Sequence, residues 1–212
     1  MKQLTSYNRV AGYLNKVFDL LNAEYFESAL TRPTITIQST PRAYGHFTLN
    51  DNTWISTLGG SHEINIGAGT LARPIEEICA TLLHEMVHYY NFVNGIQDCS
   101  RGNTYHNKRF KQAAEQRGLT VEHSEKYGWS HTAPTEELLD FVIENGLTDI
   151  LINLKYNPMR ICRCFPEFTV RTEFGEPYGV NLSQGYARCD DGQADLTAEQ
   201  IEEIQKILEN QT

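Results

Sequence analysis

The sequence predicts an α+β fold, and three observations predict it: a long stretch of helical periodicity comes first, short alternating β-branched stretches follow, and a second long helical stretch comes after them. That order differs from the repeating β-α-β of a parallel sheet. Val10, Leu14, Val17, Phe18, Leu21 and Tyr25 keep three- and four-residue spacing, which predicts a helix over residues 6–29 with Pro33 just beyond it. Residues 34–38 (TITIQ), 44–49 and 63–66 (EINI) read as strands of a small sheet. A polar loop at 50–61, carrying Trp54, separates the last two.

The second helical stretch spans 74–95. Pro74 suits its start, Glu76 and Glu77 favour the positive N-terminal end, and Gly95 suits the position just past its C-terminus. Ile75, Ile78, Leu82, Met86 and Val93 form an apolar stripe, widened by Leu83 and Tyr90. Off that stripe stand His84 and His88 in the run His84-Glu85-Met86-Val87-His88. Two histidines at i and i+4 lie about 40° apart around the helix, so both imidazoles reach one metal ion. The intervening Glu85 is no ligand; its carboxylate is placed to take a proton from water activated by the metal.

Composition bounds the rest. At 212 residues, 40% hydrophobic and 21% charged, the chain suits a globular protein with one ample core and a small appendage. No apolar run is long enough to span a membrane, and the first ten residues hold no apolar segment of the signal-peptide kind. A cytosolic location is the expectation. A net charge of −9 argues against neutralising many nucleic-acid phosphates through the overall field, leaving only local patches. Five cysteines, at 79, 99, 162, 164 and 189, read as reduced thiols or metal ligands rather than a disulfide framework.

After Gly95 comes a loop rich in turn formers, then a short polar helix over 106–118 with Phe110 and Ala113 or Ala114 as its buried contacts. A catalytic zinc usually takes three protein ligands, so the motif histidines need one more partner. His106, opening the next helix, is the best-placed candidate; His46, His62, His123, His131, Asp98 and Glu115 compete with it. Asp98 could instead hold a ligand imidazole by its second nitrogen, although a solvated loop acid is the blander reading. Residues 135–145 read as a further helix closed by Gly146. A last helix over 197–208 opens with a capping box at Thr197 and Gln200.

The run L-L-H-E-M-V-H-Y-Y from Leu82, the loop with Asp98, and Y-H-N-K-R-F from Tyr105 resemble the SprT-like zinc metallopeptidase family, the domain type of bacterial SprT proteins and of the DNA–protein crosslink protease Spartan. N-x-x-Y-F from Asn22, Y-G-H-F from Tyr44, Trp54 and the EINI strand fit the same pattern, so the likeness covers roughly residues 6–120. It implies a compact zincin-like domain, one catalytic Zn2+ held by His84, His88 and His106, and Glu85 as catalytic acid and base. The gap between His88 and His106 is longer than in better-known members. Family members often carry a zinc ribbon behind the protease with paired C-x-x-C ligands. Here Cys162-x-Cys164 and a lone Cys189 offer an incomplete set, so a degenerate ribbon-like module without a second, structural zinc is expected. The expected division is 1–155, the metallopeptidase domain, and 156–212, the ribbon-like module with its terminal helix.

The expected function is zinc-dependent hydrolysis of peptide bonds in protein substrates, with DNA-associated proteins among them by resemblance, and with no membrane partner. An extended substrate is expected to pair with the strand at 63–66. Tyr44, His46 and Tyr105 could assist an oxyanion, against core packing for the tyrosines and a solvated loop for His46. The alternative is a zinc-containing module that binds DNA or a DNA-bound partner with weak or no proteolysis, through local cations such as Lys108, Arg109 and Lys111, or Arg160, Arg163 and Arg171.

Overall fold

A computed structural model describes residues 2–40, 43–50, 53–57 and 59–154, together with the backbone of four short strands between 170 and 195. The chain divides into two units, Met1–Tyr156 and Asn157–Thr212. The first unit is α+β. Its chain order is β1 (Lys2–Leu4), α1 (Tyr7–Phe26), β2 (Thr34–Gln38), β3 (Gly45–Thr48), β4 (Trp54–Ser56), β5 (Gly59–Ser61), β6 (Glu63–Gly67) and α2 (Ile75–Val93). Then follow β7 (Cys99–Ser100), β8 (Tyr105–His106), α3 (Lys108–Glu115), β9 (Leu119–Ser124), β10 (Gly128–Pro134), α4 (Glu136–Glu144) and β11 (Ile150–Ile152).

The α1 periodicity does what it predicts: Val10, Leu14, Val17, Phe18 and Leu21 are fully buried. They meet Ile78, Leu82, Leu83 and Met86 of α2 in one core, with Ile64 and Ile66 of β6. α2 is the hub. Its first turn carries Glu76 and Glu77 at the positive end of the helix, and Gly95, at φ +68, takes the left-handed conformation just past its end. Val93 departs from the predicted stripe: in the last turn of α2 its side chain is exposed.

Two small sheets flank α2. In one, the order is β2-β6-β3, with β6 parallel to β2 and antiparallel to β3. The strand at 63–66 is therefore central, with both edges paired, and the expectation that it accepts an added substrate strand is overturned; β2 and β3 are the edges. Residues 50–61 are not merely a loop: β4 and β5 form a hairpin with Trp54 and Ile55 exposed. Tyr44 is exposed too, under the Arg73 guanidinium 4.0 Å above its ring, rather than packed in the core. His46 is exposed as expected, but on β3 rather than in a loop.

The other sheet, β7-β8-β10-β9, contains a hairpin of β9 and β10 that the sequence reading did not anticipate. β1 and β11 pair in parallel, joining the two ends of the unit. In the second unit β12 (Val170–Arg171), β13 (Pro177–Asn181), β14 (Tyr186–Cys189) and β15 (Gly192–Asp195) form one antiparallel sheet in sequence order. Cys162, Cys164 and the helix expected over 197–208 lie outside the described residues. Among those described, no helix is long and apolar enough to cross a membrane.

Candidate metal centre

His84 and His88 occupy one face of α2, one turn apart, with ring centroids 5.0 Å from each other. The chain returns to them through the 97–107 loop. There Cys99 pairs with His106 across β7 and β8, and the Asn107 main-chain N–H donates to the Asp98 carbonyl at 2.9 Å. Asn107 also caps α3, accepting from the N–H groups of Arg109 and Phe110. His106 thus stands at the junction of β8 and α3. Four residues on, Phe110 is fully buried and lies under all three imidazoles, with centroids 4.6 Å from His84, 4.6 Å from His88 and 4.7 Å from His106.

The three rings converge through one nitrogen each. His88 Nε2 lies 3.2 Å from His84 Nε2 and 3.1 Å from His106 Nε2. The other nitrogens have outer partners: His88 Nδ1 meets Asp98 Oδ2 at 2.7 Å, His106 Nδ1 meets the Tyr127 carbonyl at 3.3 Å, and His84 Nδ1 meets Thr132 Oγ1 at 3.0 Å. An ionised carboxylate and a carbonyl only accept, so the facing Nδ1 atoms of His88 and His106 carry protons. In neutral rings both Nε2 atoms then present lone pairs, and two lone pairs 3.1 Å apart repel. A shared proton or a metal cation between them resolves the conflict.

Zinc fits that description. Imidazole nitrogens about 2.0–2.1 Å from a tetrahedral ion lie about 3.3 Å from each other, close to the spacings found. His84, His88 and His106 form the metal-compatible group that the motif anticipates; His88, Asp98 and Cys99 form the second such group and share His88 with the first. Among the described residues His46, His62, His123, His131 and Glu115 join no such cluster. Asp98 is not a solvated loop acid: it is buried and bonded to His88.

The electrostatics follow. Burial pulls the His84 imidazolium well below its usual range, aided by His88 and His106, and pulls His106 down to about 4. Burial also works against the His88 cation, but its bond to Asp98, with Cys99 and Glu85 nearby, prevails and lifts it to about 10. Without metal, the cluster holds one proton near neutrality. Glu85 is pushed up to about 7 by burial, against the opposing pull of His88 and of a hydrogen bond from the Phe47 main chain. Asp98 stays below the usual carboxylate range: burial would raise it, but the hydrogen bonds from His88, Asn91 and Cys99 outweigh that.

Two glycines let backbone pass close to the site. A Cβ at Gly45 of β3 would lie 2.8 Å from the Asn65 carbonyl oxygen and 3.2 Å from Glu85 Oε1. One at Gly128, where φ is +71, would lie 2.1 Å from the His106 carbonyl oxygen. Tyr127, Thr132 and Asn91, which meet the three imidazoles or Asp98, were not expected from the sequence, and Phe110 was expected only as a packing residue. The alternation Leu119-Thr120-Val121-Glu122 followed by Gly128 carried the signal for the hairpin that brings Tyr127 and Thr132.

No curated protein and no solved structure matches this chain. The profile of the SprT-like family matches residues 14–127, more than half of the chain and a span that includes His84, Glu85, His88, Asp98 and His106. This chain belongs to the SprT-like family.

Proposed function

We propose that the chain is a zinc-dependent metalloendopeptidase acting on protein substrates. The observation that carries this reading is the buried Glu85 carboxyl in the field of His88, one of three imidazoles whose Nε2 atoms face one another. His84, His88 and His106 would hold the ion through Nε2, and zinc when bound supplies Lewis acidity, polarising a carbonyl and bringing the pKa of water toward about 7.

The chain's own groups do the rest. Asp98 keeps His88 in the tautomer that leaves Nε2 free, and the Tyr127 carbonyl does so for His106. Phe110 closes the underside of the three rings to water. The Phe47 main chain orients Glu85, which accepts a proton as water attacks the scissile carbonyl and returns it to the leaving amine. A carboxyl lifted to about 7 by burial is suited to both transfers. An extended substrate would pair with β3, the sheet edge that passes against Glu85, in place of the central β6.

DNA-associated substrates find support in a local feature. Lys108 and Arg109 line an open depression of about 500 Å³ with Gln97, Cys99, Ser100 and Asn107, and neither cation forms an ion pair with the described residues. Such cations are free to meet phosphates. The test is cleavage of an unfolded protein by the zinc-loaded chain and by Glu85→Ala. Cleavage lost in the variant, with zinc retained, supports the peptidase. Salt-sensitive DNA retention by both proteins, without cleavage by either, supports the binding module instead.

A further inference from the structure

Asn91 lies on α2 one turn beyond His88 and is fully buried. Its Nδ2 donates to Asp98 Oδ2 at 3.0 Å, and that same oxygen accepts from His88 Nδ1 at 2.7 Å. Chemistry fixes which way the carboxamide faces, because the opposite flip would press two oxygens together at that distance. Its Oδ1 therefore points away, and there it is buried with no hydrogen-bond partner among the described residues.

A buried acceptor without a donor destabilises a fold, and leucine would fill similar space without the orphan. Asparagine at 91 is thus a poor choice for the core and a good one for Asp98. Within the 97–107 loop Cys99 meets that carboxylate, and Asn91 adds a tie to α2 beside the His88 bond. The Asp98 main chain is tied to Asn107 at the α3 cap, while Asn91 ties its side chain to the helix that carries His88. Asp98 and the ring it orients are then referenced to the same rigid element.

We infer that Asn91 is a positioning residue of the metal centre, acting through Asp98 on His88; the inference rests on the zinc reading above. It predicts opposite changes in two measurable quantities. Asn91→Leu weakens zinc about tenfold in competition with a chelator, at the low end of losses for an outer partner. The melting temperature of the metal-free protein stays the same or rises. A residue serving structure alone would lower both.

The full experiment measures zinc affinity and metal-free melting for the parent, Asn91→Leu, Asp98→Ala and the double variant. The double variant is expected to bind no more weakly than Asp98→Ala, since the first change acts through the second residue. Should Asn91→Leu fail to fold, Asn91→Thr and Asn91→Val, equal in shape, differ in a hydroxyl donor, and the threonine form is expected to bind zinc more tightly. Parent-like affinity in Asn91→Leu, a full additional loss in the double variant, a fall in both quantities, or equal affinity in the threonine and valine forms overturns the inference. Absence of zinc from the repleted parent overturns the metal reading and this inference with it.

Discussion

Two polar clusters lie buried in the first unit, and they complete their hydrogen bonds differently. On the β2–β6 face, Glu63 Oε1 accepts from Thr36 Oγ1 at 2.6 Å and from Gln38 Nε2 at 3.3 Å. Asn65 Oδ1 accepts from the Gln38 main-chain N–H at 2.8 Å, and its Nδ2 donates to Thr40. No buried atom of that cluster is left over. Around His84, His88 and His106 the count fails: three Nε2 atoms face one another with one proton among them, and Asn91 Oδ1 has no donor among the described residues. Each place holds buried polar side chains, Glu63 and Asn65 in one and Glu85, Asn91 and Asp98 in the other, so burial alone does not mark a site. A polar cluster that closes on itself holds a sheet together, and one whose acceptors outnumber its donors is suited to a cation.

The strongest way to break this contrast is to neutralise one buried carboxyl in each cluster. Glu85→Gln is expected to lower the rate of peptide hydrolysis by about 10²–10⁴-fold with zinc retained. Glu63→Gln, whose amide oxygen still accepts from Thr36, is expected to leave turnover unchanged. Steady-state kinetics on zinc-loaded protein decides, and equal losses in the two variants would erase the distinction.

A second test is pH. Metal and proton compete for the Nε2 lone pairs. Because His88 is lifted to about 10 while His84 and His106 are held below their usual range, the metal-free cluster carries one proton through neutrality. Metal binding expels it. Zinc affinity is therefore expected to rise roughly tenfold per pH unit between about pH 6 and pH 8, a slope that chelator competition measures directly. A flat profile would mean that the cluster holds no displaceable proton.

The smallest effect falls on the closed cluster. Asn65→Leu strands the Gln38 main-chain N–H and removes the partner of Thr40, at an expected loss of about 1–3 kcal/mol in chemical denaturation. Its zinc affinity should match the parent's. A variant that lost zinc instead would show that the two clusters are coupled through β6 and β3.

How much of this was legible in the sequence varied with the range of the interaction. The α1 and α2 periodicities, the glycine stop at 95 and the α+β order are local signals, and the helices end within a few residues of the predicted bounds. The proximity of His106 to the motif was readable because a histidine opening the next helix is the best-placed partner and because the family resemblance carries a third histidine there. Strand order was not readable: the EINI alternation looks the same in a central strand as at an edge, and β6 proved central. Nor was the fate of Asp98 and Asn91, since an acid in a turn-rich loop and an asparagine late in a helix acquire meaning only when the loop folds back over α2.

His84, His88 and His106 together make one proposed metal site. Its most direct test is zinc per chain by elemental analysis, on repleted parent and on His106→Ala, with folding of each checked by circular dichroism. The parent is expected to carry about one zinc more than the folded variant, because a set of two imidazoles holds the ion far more weakly than three. Equal zinc content in the two proteins, or none in either, would contradict it.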